Sequence, residues 1–257
     1  MICSGHKNWE VSLILLLMTM VVMGGCANKR NPKAHLTSPY GRQMTIAVVP
    51  VLNYSGNKDL DQLKVTDILY SEFQQVDGFA VIPVNRLLAQ MMRDKLSAIE
   101  TPQQALQLAS ELGADAIVVC AITEYNPYYP PVVGVAVQLY GLPEESGQAR
   151  KIDPVAMERL ASPLKVTTEI EPRYWPKNQM QRIYNSRDKT WAHQVEEFAE
   201  QRGTSDSPYK WEIYLRSQEY YLRFVYYKAI EELLNKELER VNPVIISDQR
   251  ADVKEYN

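Results

Sequence analysis

Three cysteines and three histidines are all that this 257-residue chain holds. That scarcity removes most site chemistry at once. No Cys-x-x-Cys or His-x-x-x-His pair occurs, so a zinc ion has no ligand set. Gly-x-Ser-x-Gly is missing, and so is a glycine-rich loop followed by Lys and Ser or Thr, which leaves a serine-hydrolase elbow and a phosphate cradle without their sequence marks. Charges of both signs are scattered to a net of −3, and such a chain offers no basic face to a nucleic-acid backbone. No apolar run reaches the roughly 20 residues that a membrane-spanning helix needs. No cofactor is expected. Two candidates stay as weaker alternatives: a phosphate nest in Asn53-Tyr54-Ser55-Gly56-Asn57, which also reads as a plain turn, and a carboxylate pair drawn from Asp59, Asp61, Asp115 and Glu124, which also reads as caps and solvated surface.

What is present begins at the N-terminus. A polar stretch with Lys7 precedes an apolar run of about 13 residues, Val11 to Met23, followed by Gly24-Gly25 and Cys26. A short hydrophobic core followed by small residues suits a secretory signal, and is too short for a spanning helix. A cysteine directly after the small residues resembles the lipobox of bacterial lipoproteins, with Met23 where Leu is usual. The resemblance implies that residues 1–25 are removed and that Cys26 carries lipid, two or three acyl chains holding the protein firmly. Ala27 in place of Asp implies the outer membrane, with the protein facing the periplasm. The competing reading is an uncleaved anchor with an incidental cysteine. In the mature chain Cys120 stands alone in an apolar run and reads as a packing thiol.

Residues 26–43 read as a lipidated tether, polar and short. Residues 44–141 alternate apolar strands with amphipathic helices. Met44–Leu52 is a β-branched run interrupted or ended by Pro50. Apolar spacing predicts a helix over Leu60–Val76, then a strand at Phe79–Pro83, then a helix capped by Asn85 and running to Leu96 on an inner face of Leu88, Met91, Met92 and Leu96. Thr101-Pro102-Gln103-Gln104 has the form of a capping box with a first-turn proline, and Gly113 suits a left-handed helix end. Strands follow at Ala116–Ile122 and Val132–Tyr140, joined by Pro127–Pro131 and therefore antiparallel. The expected class is α/β, a mixed sheet flanked by helices.

Residues 142–184 hold five prolines with Pro143, Pro154, Pro163, Pro172 and Pro176. They read as irregular, with a possible turn of helix at Pro154–Leu160 and a strand near Leu164–Ile170. Residues 185–241 read as a helical hairpin: Ser186–Arg202 with Trp191, Val195 and Phe198 on one face, then a helix opened by Ser207-Pro208 and running to about Val241. On that last helix Trp211, Tyr214, Leu215, Leu222, Val225, Ala229 and Leu233 share a face, while Ile213, Tyr220, Phe224 and Tyr227 form a second apolar set beyond a Glu212/Arg216/Glu219/Arg223 stripe. Two faces require two things to pack on, and either the Ser186–Arg202 helix or a partner covers the second. Residues 242–257 read as a tail. The loop from Tyr125 through Tyr128 and Tyr129 to Pro131 is either a recognition surface or a stiff hairpin link.

Ile46-Ala47-Val48-Val49-Pro50 with Asn53, Ser55 and Gly56, then Val81-Ile82-Pro83, and Leu112-Gly113-Ala114-Asp115-Ala116-Ile117-Val118-Val119, are similar to the N-terminal α/β domain family shared by CsgG, LpoB, FlgT and TolB. The resemblance covers under half the chain. It implies a helix-flanked mixed sheet used for envelope assembly, no enzymatic activity, and a role for Asp115 in bracing the turn at Gly113. Nothing in 142–184 supplies the alternating strands of about 10 residues that a secretion pore needs. The reading is a non-enzymatic lipid-anchored module that binds an envelope protein or itself. Alternatives are a regulator of a cell-wall synthase, a secretion or flagellar assembly component, and a small-ligand or enzymatic domain built from distant residues.

Overall fold

A computed structural model describes residues 35–141, 175–202 and 208–241. The chain divides between Lys33 and Ala34, and all described residues belong to the second unit. The signal segment, Cys26, the sequence-predicted turn at 154–160, the strand at 164–170, Ser207 and the tail lie outside the described residues.

β1 (Met44–Val48) and β2 (Leu52–Asn53) both run parallel to β4 (Ala116–Asn126). Their registers differ by one residue, since Val48 faces Val118 but Leu52 faces Ala121. The extra residue falls at Pro50, which has no N–H to give the ladder. The N–H of Val51 donates instead to the Thr66 hydroxyl at 2.9 Å, on α1 (Gln62–Phe73). β3 (Phe79–Val81) pairs parallel with β1, and β5 (Val132–Gly141) and β6 (Asn178–Asn185) extend the sheet antiparallel from β4. The order is β3-β1-β4-β5-β6, with β2 beside β4. This is the mixed sheet that the sequence predicts.

α2 (Val84–Arg93) and α3 (Pro102–Leu112) lie on one face. Thr101 accepts from the Gln104 amide and the Gln104 side chain reaches back to the Thr101 N–H, so the capping box is made. Gly113 ends α3 at φ +69°. α2 departs from expectation. Pro83, not Asn85, stands at its N-cap without a side-chain bond. The inner positions are Leu87 and Met91, whereas Leu88 is half-buried and Met92 is 78% exposed. Starting at Val84 with an i,i+4 pair turns the helix so that Met92 faces water.

The other face is covered by α1, α4 (Lys189–Gln201) and α6 (Gln218–Val241). Here the sequence reading needs two corrections. β6 is a strand inside the segment read as irregular. Its inward positions carry Met180 and Tyr184, both buried, but the position between them is Arg182, which reaches Glu232 on α6 at 2.7 Å and breaks the apolar alternation. Secondly, the last helix is not continuous. Pro208 and Tyr209 form a turn, a 3₁₀ segment spans Lys210–Glu212, and α5 (Ile213–Arg216) stops at Ser217, whose backbone is extended. The Ser217 carbonyl accepts from the Tyr221 N–H at 3.0 Å, which makes Ser217 the start of α6.

Leu36, Thr37 and Tyr40, which the sequence reading assigns to the tether, meet the domain. Thr37 bridges Asp77 beside β3, Leu36 and Tyr40 pack on the core, and the Tyr40 hydroxyl donates to buried Glu237 near the end of α6.

Candidate interaction surface

The link between β4 and β5 is built to hold two tyrosines out. Three prolines, 127, 130 and 131, limit its backbone. At its base the Ser186 N–H and hydroxyl both donate to the Pro131 carbonyl, at 3.1 and 2.9 Å. The Tyr128 N–H donates to Asn126 Oδ1 at 3.2 Å. Tyr125 lies lower, half-buried, and its hydroxyl donates to Gln218 Oε1 at 3.2 Å. Burial pushes that phenol above its ordinary value. Tyr128 and Tyr129 stay 75% and 63% exposed. The Arg216 guanidinium lies 5.3 Å from the Tyr129 ring centre while pairing with Glu212 at 3.0 Å. The β2 turn stands alongside: its Asn57 side chain donates to the Tyr125 carbonyl, and its Tyr54 is exposed.

Of the sequence-predicted surface, Tyr128 and Tyr129 are exposed, Tyr125 is half-buried and Tyr220 is marginally exposed, whereas Phe224 and Tyr227 are buried. Phe224 is fully buried and Tyr227 nearly so. Phe198 of α4 sits 5.7 Å from the Phe224 ring and 4.8 Å from that of Tyr227, so the second apolar face of the last helix is covered within the chain. Tyr220 remains at the margin, against Tyr214 at 5.1 Å.

Asp115 sits at the far end of the sheet. Its carboxylate accepts from the Thr45 N–H at 2.7 Å, its own N–H donates to the Thr45 carbonyl at 2.6 Å, and Arg42 lies 3.4 Å away. It fastens the Gly113 turn to the start of β1. Glu124 is nine residues along the same strand, roughly 30 Å distant, and Asp61 spends its carboxylate capping α1 through the Leu63 and Lys64 amides. Asp115 and Glu124 therefore do not form a carboxylate pair. The Asn53–Asn57 cluster closes on itself through Asn53 and Ser55 side chains. Cys120 is fully buried, and burial pushes its thiol up to about 12, leaving no thiolate for nucleophilic work. Among the described residues no group of three or more His, Cys, Asp or Glu could hold a metal ion, and no helix is long and apolar enough to cross a membrane.

One concavity lies beside this surface, on the sheet face that α2 and α3 leave partly open. It has a volume of about 240 Å³ and a floor of Ala121 and Ala136, with Thr101, Gln138 and Tyr140 around it and Glu100 as its only charged lining residue among the described ones. Sequence reasoning did not find it, because alanines in an apolar strand look like ordinary core. A second hollow between β6 and α6 is filled by ion pairs among Arg182, Glu232, Lys236, Lys228 and Glu231.

No family model and no curated protein matches the chain. Among solved structures it is similar to lipoprotein GNA1162 from Neisseria meningitidis, at 19% identity over 48% of this chain and 99% of that one, with a TM-score of 0.30. It is similar also to the LpoB C-terminal domain from Salmonella enterica, at 17% identity over 41% and 74%, TM-score 0.34. A third is the hypothetical protein CT253 from Chlamydia trachomatis, at 11% identity over 77% and 95%, TM-score 0.32. These TM-scores are too low to carry function from any of them to this chain.

Proposed function

We propose that this protein is a non-enzymatic envelope module, anchored by lipid on Cys26 to the outer membrane, that binds a protein in the periplasm. The observation that carries the reading is polarity. The chain reaches the domain at Leu36–Tyr40, where Tyr40 meets Glu237 on the last turns of α6. The tyrosine hairpin stands at the other end, where Tyr125 meets Gln218 at the first residue of the same helix. Those two points are roughly 30 Å apart along the helix axis at 1.5 Å per residue. Eight residues lie between Cys26 and His35, which limits their span to roughly 30 Å even when fully extended. The chain thus enters the described domain at the end opposite its exposed tyrosines, and exposed tyrosines suit a protein partner. The Gly-Gly-Cys26-Ala27 sequence supports both the lipid anchor and the outer membrane over the inner one.

The test is an intact mass with membrane fractionation of the full gene product in a Gram-negative host, wild type against Cys26→Ala. The expected result is a lipid-modified chain beginning at Cys26 in the membrane fraction, lost in the variant. An unmodified chain of full length, fractionating alike in both, overturns the anchor.

A further inference from the structure

We propose that the tyrosine hairpin of one copy seats in the alanine-floored trough of a second copy, joining like subunits head to tail. The inference deepens the preceding reading by naming the partner, and it rests on that reading only for the hairpin being a binding element. The two halves of the contact are different surfaces of one chain. The donor half is convex and stiff, since Tyr128 and Tyr129 project from a link of three prolines clamped at Ser186. Little conformational freedom is then lost on binding. The acceptor half is a hollow of about 240 Å³, larger than the roughly 150 Å³ that holds a benzene ring in an engineered core cavity. Its floor gives a ring apolar contact, and Thr101, Gln138 and Gln181 at its edge are groups with which a phenolic hydroxyl can bond.

Charge fits as well. Arg216 travels with the hairpin, over Tyr129 and paired with Glu212, and among the described residues Glu100 is the one charged group lining the trough. A seated ring carries the cation toward the carboxylate. Because donor and acceptor are distinct, each subunit uses both, and the contact closes into a ring or runs on as a chain. Two tyrosines bury roughly 300–500 Å², short of the roughly 800 Å² per partner of a stable interface. The contact is therefore weak between free copies and gains from the high local concentration of molecules held on one surface.

The experiment traps it covalently. Full chains carrying Cys3→Ser and Cys26→Ser are purified in nonionic detergent at high concentration, so the result is independent of lipid on Cys26. Cys120 is buried and stays in place. One preparation carries Tyr129→Cys. The other carries Ala136→Cys or, as a second trough position, Thr123→Cys. The control partner is Met92→Cys, 78% exposed on α2. Under mild oxidation the knob-and-trough mixtures are expected to give several-fold more covalent dimer than the knob-and-control mixture. Adding Glu100→Lys to the trough partner is expected to lower that yield. Dimer at or below the control for both trough positions overturns the proposal and leaves the hairpin to a protein other than this chain, while the anchor on Cys26 stands or falls by its own mass measurement.

Discussion

Among the described residues, the sheet face under α1, α4 and α6 is closed by large side chains, whereas the face under α2 and α3 is closed only over β1, β4 and the Tyr140 end of β5. The backbone is the same strands on both sides, so side-chain volume makes the difference. Toward the closed face β5 and β6 send Val133, Val135, Val137, Leu139, Met180 and Tyr184. Toward the open face the same strands send Gly134, Ala136, Gln138, Gln179, Gln181 and Ile183, and only Tyr140, at the covered end of β5, is large and buried there. On the closed side Tyr184 meets Trp191 and Phe224, and Phe198 meets Tyr214, Phe224 and Tyr227. One side carries the aromatic packing, and the other leaves surface exposed among the described residues.

The comparison breaks most visibly at matched truncation and filling. Phe224→Ala removes a fully buried ring from the closed face and is expected to cost about 3–5 kcal/mol. Ala136→Leu adds bulk on the open face, where a half-buried alanine borders the trough, and is expected to change stability by less than about 0.5 kcal/mol. Denaturant unfolding measures both. Equal costs would mean that the open face is as tightly packed as the closed one.

How far each face is legible in sequence follows from the same contrast. From Met44 to Gly141 local signals agree with the fold: β-branched runs, a Thr-Pro-x-Gln box and Gly113 each act within a few residues. Even there Asn85 misleads, because Pro83 already sets the backbone for α2. β6 is hidden because its inward position 182 is an arginine satisfied by Glu232, fifty residues away. The break at Ser217 is hidden by apolar spacing that continues across it. In a helical wheel Phe224 and Tyr227 form a second apolar face that either the Ser186–Arg202 helix or a partner can cover, and only tertiary structure decides for Phe198 of that helix. The exposed tyrosines of the hairpin are readable from Pro-Tyr-Tyr-Pro-Pro, but the trough is not, being assembled from β4, β5 and the start of α3.

The two helices on the open face end in the same left-handed turn with different residues, which permits a finer test. Gly113 closes α3 at φ +69° with nothing within 4 Å of where a Cβ would stand. Gly113→Ala thus isolates backbone strain, expected to cost about 1–2 kcal/mol. α2 ends through Lys95 at φ +56°, where the Leu96 N–H returns to the Met91 carbonyl at 2.8 Å. Lys95→Gly relieves comparable strain but gives the unfolded chain more freedom, by about 0.4–1 kcal/mol. The net expectation is a small gain, read as a Tm rise of a few degrees in a thermal melt. A fall in Tm would show that the Lys95 side chain contributes more than its backbone costs.

The smallest effect is a slope, and it divides the closed face itself. Glu72 and Glu237 are both buried there, side chains 1% and 0% exposed. Desolvation raises Glu72, and the charges and hydrogen bonds of Arg202, Arg223 and Gln75 do not fully offset it, so its carboxyl lies above the ordinary 4.5. Desolvation also pushes Glu237 upward, but hydrogen bonds from Arg240 and Tyr40, the Arg240 charge and Asn178 outweigh it, so Glu237 lies below 4.5. The linkage signs are opposite. The folded state holds the Glu72 proton more tightly than the unfolded chain, so this group's contribution falls as pH rises above 4.5. Glu237 contributes stability that is present above 4.5 and lost as pH falls through its lowered value. Relative to wild type, Glu72→Gln is therefore expected to improve as pH rises from about 4.5, and Glu237→Gln to worsen as pH rises toward 4.5. Unfolding free energies in denaturant across the acid range measure both differences. Slopes of the same sign would show that the Arg202–Glu72 pair outweighs burial, and that both ends of this face hold their carboxylates in the same way.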